Sequence, residues 1–553
     1  MATFVRITVL IWADILAGYA MWVMMTYLTN VWKINLTHAT GIINIWGGIA
    51  SIMPLGFAFL VDMFIGHYAM LLFSSIAYCI GLGFLSMSTP PVLSKSTDTC
   101  SAYKPECIGH TQKALFYTAL SLIAVGISGH TVSLPPFFTA QTTASNDRDT
   151  GRKLLWQIVG IFGIILVPII GGIALPYIKQ WSVRFGIPAI CSLVATLLFL
   201  SGSCSYKYDK PQGSPLTTVF RVFVASVCKM CQPLPSDGNE LYEKDGTDAK
   251  LMPHTGSLRC LDKAAIILAN KTREEQERTR WRLCRVTEVE ETKIGIRIIP
   301  MWLTFIACGI ITSIGNTFFL EQANHMNRKL GRLNLPLPIL LMFYDFSKSQ
   351  FAKLYFTLTK YLREAGLKHY APPIGIAASI TFAILTCITA ASVETRRLSV
   401  IRKHSLLDKP DEKIPMSMFW LLPQFLLLGA LDGVAENGIM SFFKDQGPPS
   451  MRDYFVLFTR GVIGLGMMGN VIFVYVVGKV KPSWLKDTLN MSRLDKYYWT
   501  LAVLSAVNLV VYVLVATWFS YRGCADDDGE EAPEVEGAVT PYDENKQGCC
   551  CCC

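Results

Sequence analysis

Residues 39–61 read ATGIINIWGGIASIMPLGFAFLV, with no Asp, Glu, Lys or Arg, and Asp62 follows at once. A bilayer-spanning helix needs about 20 mostly apolar residues, and this stretch supplies one. Working outward from it, comparable runs lie at roughly 4–29, 66–89, 113–139, 154–176 and 182–203. Six more lie at 296–321, 335–360, 371–393, 415–442, 454–479 and 496–520. The run 335–360 is the weakest, because it holds Asp345, Lys348 and Lys353; parity between the two groups of runs supports it. Composition agrees with lipid as the solvent: 52% of the 553 residues are hydrophobic and 16% are charged, against about 25% charged in soluble domains. This excludes a disordered chain and argues against an ordinary multi-domain soluble enzyme.

The organisation follows from the runs. Residues 1–203 form a six-span half, 204–293 a polar loop, 294–520 a second six-span half, and 521–553 an acidic tail. The fold class expected is an all-α membrane protein of the major facilitator layout. Its twelve transmembrane helices form two six-helix halves, with a binding site near the midplane between them. The first run is too long for a cleavable signal's apolar region. With the amino terminus and the 204–293 loop in the cytoplasm, Arg278, Arg280, Arg282 and Arg285 obey the positive-inside rule. The loop between spans nine and ten opposes it, with Arg396, Arg397, Arg402, Lys403, Lys409 and Lys413 placed outside.

Orientation also sorts the modification candidates. Cys100 and Cys107 fall outside, where a disulfide can form; two free thiols are the alternative. Asn35 and Asn490 begin N-glycosylation acceptors on the same side, Asn35 very close to the membrane. Asn270 is cytoplasmic and silent. The tail ends Cys549-Cys550-Cys551-Cys552-Cys553. Cysteines near the inner leaflet are palmitoylation candidates, and no zinc-type spacing supports a metal instead. The basic stretch Arg278–Arg285 is expected to lie on the inner leaflet as an amphipathic helix; a nucleic-acid role is not. No phosphate loop, H-E-x-x-H or G-x-S-x-G is present, so neither ATP-driven transport nor a soluble enzyme is expected, and no cofactor is implied.

Several motifs now point one way. Leu55-Gly-Phe-Ala-Phe-Leu-Val-Asp62-Met-Phe-Ile-Gly66-His-Tyr68 looks like the major facilitator loop between spans two and three. Arg297-Ile-Ile-Pro-Met-Trp302, Thr317-Phe-Phe319 and Val393-Glu-Thr-Arg-Arg-Leu398 are more specific. The most specific is Phe442-Phe-Lys-Asp-Gln-Gly-Pro-Pro-Ser-Met-Arg452. From residue 5 to about 520 the chain resembles the plant nitrate/peptide transporter family, the plant branch of the proton-dependent oligopeptide transporters. The resemblance implies alternating access and proton-coupled uptake of nitrate, small peptides or other small metabolites.

Departures from the family pattern concern the proton relay. The first span of the family carries two glutamates and a base; here the positions read Leu10, Ala13 and Asp14. The fourth-span lysine is replaced by Thr131, and the seventh-span Gln or Glu by Ile314. Asp14 and His130 remain as ionisable candidates for a replacement relay. The alternative is a polar contact for Asp14 and plain packing for His130. In the second half, Asp432 and Glu436 share one face of span ten and are substrate-binding candidates, with Asn316 and Thr317 of span seven. A structural pair with a cationic neighbour is their alternative. Asp62 is a cytoplasmic gate charge. Tyr344-Asp345 is expected at the inner end of span eight as a gate, and Glu321 is an outer-gate charge or a solvated helix end. Trp12, Tyr19 and Trp22 recur along span one and line either the pocket or a packed interface.

The function expected is secondary transport of a small polar, nitrogenous solute, with atypical or weakened proton coupling. A proton-independent facilitator or exporter, and a non-transporting sensor or scaffold, are the alternatives. The partners are a small-molecule solute, protons and the lipid bilayer. The location is a plasma membrane or an endomembrane, vacuolar or secretory. With no Lys or Arg counted at membrane depth outside span eight, an acid-lined pocket is expected, one that favours a cationic or zwitterionic solute over nitrate.

Overall fold

The computed structural model of the chain describes residues 2–89, 108–143, 163, 166–208, 211, 213–234, 241–243, 254–268, 275–276 and 281–527. Among them, nine helical stretches are long and apolar enough to cross a membrane. One of these, Leu36–Met87, has 52 residues, about twice what a bilayer requires, and it contains two spans. Span two is the helix Leu36–Leu60, capped by Asn35, whose side chain accepts the His38 N–H at 3.0 Å. Span three is Gly66–Met87. Between them Val61–Ile65 form one π-helical turn, and Gly66 takes φ 71° with ψ 168°. That backbone region is essentially closed to residues with a Cβ, so the glycine allows the chain to reverse.

The other apolar runs also fold as helices. Span one is Ala2–Trp22 and Met24–Asn30, span four His110–Thr143, and span six Trp181–Leu200. Span seven is Val286–Thr304, Ile306–Ile314 and Leu320–His325, and span eight Ile339–Glu364. Spans nine to twelve are Ala371–Lys403, Leu422–Gln446, Phe455–Val480 and Leu494–Asp527. Span five is described at residue 163 and from Leu166 onward, where Leu166–Tyr177 is helical and apolar.

Burial is uneven along the bundle axis. At the end remote from residues 204–285, the far end, one core joins both halves. Trp22, Tyr27, Leu28 and Phe116 of the first half pack in it with Phe318, Phe319, Phe425 and Tyr497 of the second. At the other end, the loop end, each half keeps its own cluster. Ile7, Leu71, Phe137 and Phe199 belong to the first; Ile298, Phe305, Phe442 and Phe455 belong to the second. A small patch of Ala58, Val61, Met70 and Val132 against Tyr454 and Leu457 connects them. Spans two and eleven carry the junction along its length. A Cβ built on Gly48 would lie 2.9 Å from the Gly464 carbonyl oxygen, and one on Gly464 would lie 2.9 Å from that of Gly48. Small residues permit this backbone approach, which dispersion then rewards in lipid.

The described residues of the central segment are docked on the bundle. Ser214 caps the helix Pro215–Cys228, with Pro215 in the first turn. Val222 and Ala225 of this helix bury against Leu261, Ala264, Ala265 and Val286. Lys293, on the first turns of span seven, lies 2.7 Å from both Asp262 and Glu290. The amphipathic helix expected at Arg278–Arg285 is not found in its described part. Trp281–Arg282 is a turn and residues 283–285 are irregular, leading into the span-seven helix at Val286. The helix that exposes an apolar face, with Phe220, Phe223 and Val227, is Pro215–Cys228.

Candidate functional site between the two halves

Polar side chains of the spans collect where the halves meet. In the first half, span one presents Asp14 and span four presents His130. Nδ1 of His130 lies 2.9 and 2.8 Å from the two carboxylate oxygens of Asp14, and Nε2 lies 2.8 Å from the Ser75 hydroxyl on span three. The Tyr78 ring meets the imidazole edge-on at 5.7 Å. The histidine side chain is 5% exposed and the aspartate 26%. Asp14 is therefore the more open of the two and His130 the more enclosed. Neutral imidazole can donate to Asp14 and accept from Ser75; protonated imidazole can donate to both. Either state leaves every hydrogen bond intact. The two expected replacement residues are thus brought into direct contact.

The second half is arranged differently from the expected open pair of acids. Asp432 is 2% exposed. Its Oδ1 accepts from Thr312 at 2.6 Å and its Oδ2 from Tyr344 at 2.5 Å. Glu436 pairs with Lys348 of span eight at 2.7 Å, and both side chains keep access, 41% and 32%. Lys348 is also an electrostatic neighbour of Asp432 and Asp345. Asp345 is exposed and accepts one long bond, 3.4 Å, from Tyr19 of span one. The acids open to a solute are therefore Asp345 and Glu436, while Asp432 sits behind them and positions Tyr344. Asp345 lies on the second turn of span eight, reached through residues 326–338, so it belongs to the far end and not to the inner end. Asn316 and Thr317 also separate. They lie on a π-helical turn, Gly315–Phe319. Asn316 accepts the Trp22 Nε1–H at 2.8 Å, whereas Thr317 is fully buried and donates to the Ser313 carbonyl at 2.8 Å. A hydroxyl so engaged faces away from any solute.

Toward the far end the seam between spans one and seven is closed by further rungs. Thr29 donates to Glu321 Oε2 at 3.0 Å, and His325 Nε2 lies 2.9 Å from Glu321 Oε1. Asn30 and Asn324 exchange amide hydrogen bonds at 3.3 and 3.1 Å. Lys33 reaches Asp411 at 2.8 Å. Glu321 is 2% exposed, so it is a buried seam residue and not a solvated helix end. His325 was missed in the sequence, although its spacing of four from Glu321 was a readable signal. Of the span-one aromatics, Tyr19 and Trp22 cross to the second half.

At the loop end Asp62 accepts from the Tyr454 hydroxyl at 2.5 Å, and that hydroxyl lies 2.9 Å from Ser214. Arg460 of span eleven donates from Nη1 to Thr131 Oγ1 at 3.1 Å. The expectation of no membrane-depth cation outside span eight is therefore corrected: Arg460 stands within its own apolar run, and the sequence showed it.

Two other expectations change. Arg397 does not lie in an outer loop. Span nine continues to Lys403, and Arg397 is fully buried, with Nε and Nη2 each 2.7 Å from Glu394. It also donates to Asn490 Oδ1 at 3.2 Å, while Asn490 donates to the Leu406 carbonyl at 3.2 Å. Asn490 is 2% exposed, so the folded chain offers no room for a glycan there. Cys100, Cys107 and the terminal cysteines, Cys549 to Cys553, lie outside the described residues. Among the described residues one trio has metal-ligand proximity, His254, Asp262 and Glu290, and the Lys293 ammonium already bridges its two acids.

Comparison with known proteins converges on the same arrangement. The POT family model matches residues 68–480. The Arabidopsis thaliana protein NRT1/PTR FAMILY 5.5 is 43% identical over 528 residues, covering 94% of this chain and 97% of that protein. NRT1/PTR FAMILY 5.6 of the same plant is 31% identical over 528 residues, covering 92% and 88%. Among solved structures, an auto-inhibited POT family peptide transporter matches with a TM-score of 0.63 at 15% identity, covering 94% of this chain and 97% of that one. A POT family transporter in complex with 5-aminolevulinic acid matches with a TM-score of 0.58 at 10% identity, covering 93% and 96%. Those two likenesses speak to the fold, which is the major facilitator arrangement, and the sequence relatives speak to descent. The chain is a multi-pass membrane transporter and belongs to the POT family, within its plant NRT1/PTR branch.

Proposed function

We propose that the protein carries a small polar, nitrogenous solute by alternating access, with proton coupling rerouted through Asp14 and His130. The solute classes are a peptide, an amino-acid derivative or nitrate. The single observation that carries the reading is the 2.8 Å contact between His130 Nδ1 and Asp14, a half-open acid backed by an enclosed imidazole. With the central segment in the cytoplasm, the far end faces outward and is the sealed one, so solute and proton leave through the loop end. Glu321 and Asp345 act as outer-gate groups and Asp62 as a latch on the inner side. Asp345 and Glu436 receive a cationic group of the solute, with Asp432 holding Tyr344 in place. Palmitoyl chains on Cys549 to Cys553 would hold the tail at a plasma membrane or endomembrane, and Cys100 with Cys107 would close a small outer loop.

Solute accumulation measured against an imposed pH gradient tests this. We expect accumulation to follow the inward proton gradient, and Asp14→Asn or His130→Gln to abolish that dependence while binding persists. Wild-type flux that ignores the gradient would leave a facilitator or exporter. No flux of any solute in a broad screen would leave a sensor or scaffold.

A further inference from the structure

Arg460 is the feature that the coupling scheme leaves unused. It stands on the second turn of span eleven and bonds across to span four through Thr131, so it faces the other half and not lipid. Its side chain is nonetheless exposed. An exposed group directed at the opposite half lines the space between the halves. Its next neighbour, Gly461, abuts Leu55 of span two, where a Cβ would lie at 3.1 Å, and one turn earlier Leu457 packs among Ala58, Val61 and Met70. The stem is therefore fixed on the seam while the guanidinium stands free at its edge.

The charge is what needs explaining. Among the described residues Arg460 has one hydrogen-bond partner, a neutral hydroxyl, and no carboxylate in ion-pair contact. Two other cations within the spans are answered by carboxylates, Lys348 by Glu436 and Arg397 by Glu394. A cation within a span is costly when unpaired, and such residues mark substrate pathways. Four of the five guanidinium N–H donors remain for a ligand, in the planar fork that matches a carboxylate in bidentate fashion.

We propose that Arg460 is an anion-recognising residue of the transport path, taking the carboxylate of a small zwitterionic solute while Thr131 orients the guanidinium. The proposal rests on the transport reading and adds the substrate class to it. Thermal unfolding of the purified full-length protein in lipid nanodiscs can be titrated with dialanine, 5-aminolevulinic acid and dialaninamide, which lacks the carboxylate. At least one zwitterion should stabilise the wild type saturably, and dialaninamide should need about 10 to 100 times the concentration. Arg460→Gln should raise the zwitterion's half-point by the same factor and leave dialaninamide unmoved. Should Arg460→Gln melt abnormally without ligand, Arg460→Lys serves: it keeps the charge, loses the fork, and should weaken the zwitterion several-fold only.

Equal binding of dialanine and dialaninamide by the wild type overturns the proposal. So does wild-type affinity in both Arg460 variants, or a wild type stabilised by neither zwitterion. Uptake measured in parallel separates the two levels. Solute flux with unchanged half-saturation in Arg460→Gln removes the subsite and leaves transport standing; no flux of any tested solute in the wild type removes transport itself.

Discussion

The two ends of the bundle are held by different physics. At the far end one apolar core runs through both halves, and a line of polar rungs from Tyr19 to Lys33 crosses the seam. At the loop end the halves keep separate cores and touch through a small patch, the Tyr454 hydroxyl and Arg460. The difference teaches that the two ends would part at unequal cost. Opening the far end exposes a shared apolar core and breaks its polar rungs, whereas the loop end is held by one small patch and a few polar contacts.

The largest effect is expected where the far end is anchored. Arg397→Ala leaves Glu394 buried with no cation, a change of about 3 to 5 kcal/mol, read as a lowered melting temperature and lost surface expression. Next is the junction common to both ends. Gly464→Ala forces a methyl against Gly48 and Ser51 and should cost about 1 to 3 kcal/mol, slowing transport at unchanged solute affinity. Loosening a single far-end rung is smaller. Glu321→Gln weakens the bonds from Thr29 and His325 by about 1 to 2 kcal/mol; a cysteine placed at Lys33 should then react faster with an impermeant maleimide from outside. The converse, Lys33→Cys with Asp411→Cys joined by a reducible bis-methanethiosulfonate linker long enough to replace the lysine side chain, should lock the far end and stop flux until reduced. Smallest is Asn490→Gln, which should leave glycosidase-sensitive mobility unchanged. A mobility shift would contradict the buried position of that side chain.

Much of the fold was legible, because lipid imposes a length and a composition on every span. The run 39–61 folds as the helix its residues predict, the loop at Gly66 lies where the resemblance places it, and the charged run of span eight, supported by parity, is helical as well. What escaped was the pairing of side chains on different helices. Asp14 and His130 could be named as ionisable, but their contact depends on how spans one and four rotate about their axes. Asp432 and Glu436 share a face, yet one is enclosed by Thr312 and Tyr344 and the other meets Lys348, a distinction made by neighbours far apart in sequence. Thr317 was misplaced because a π-helical turn changes which residues point inward. Arg460 was simply visible and passed over.

The central segment is stitched to both bodies it connects. The Gly213 N–H donates to the Asp62 carbonyl at 3.0 Å, Ser214 meets Tyr454 at 2.9 Å, and Asp262 meets Lys293 at 2.7 Å. Under the alternating access proposed above, these fastenings limit the stroke, so cutting them should change how wide the carrier swings before changing what it recognises.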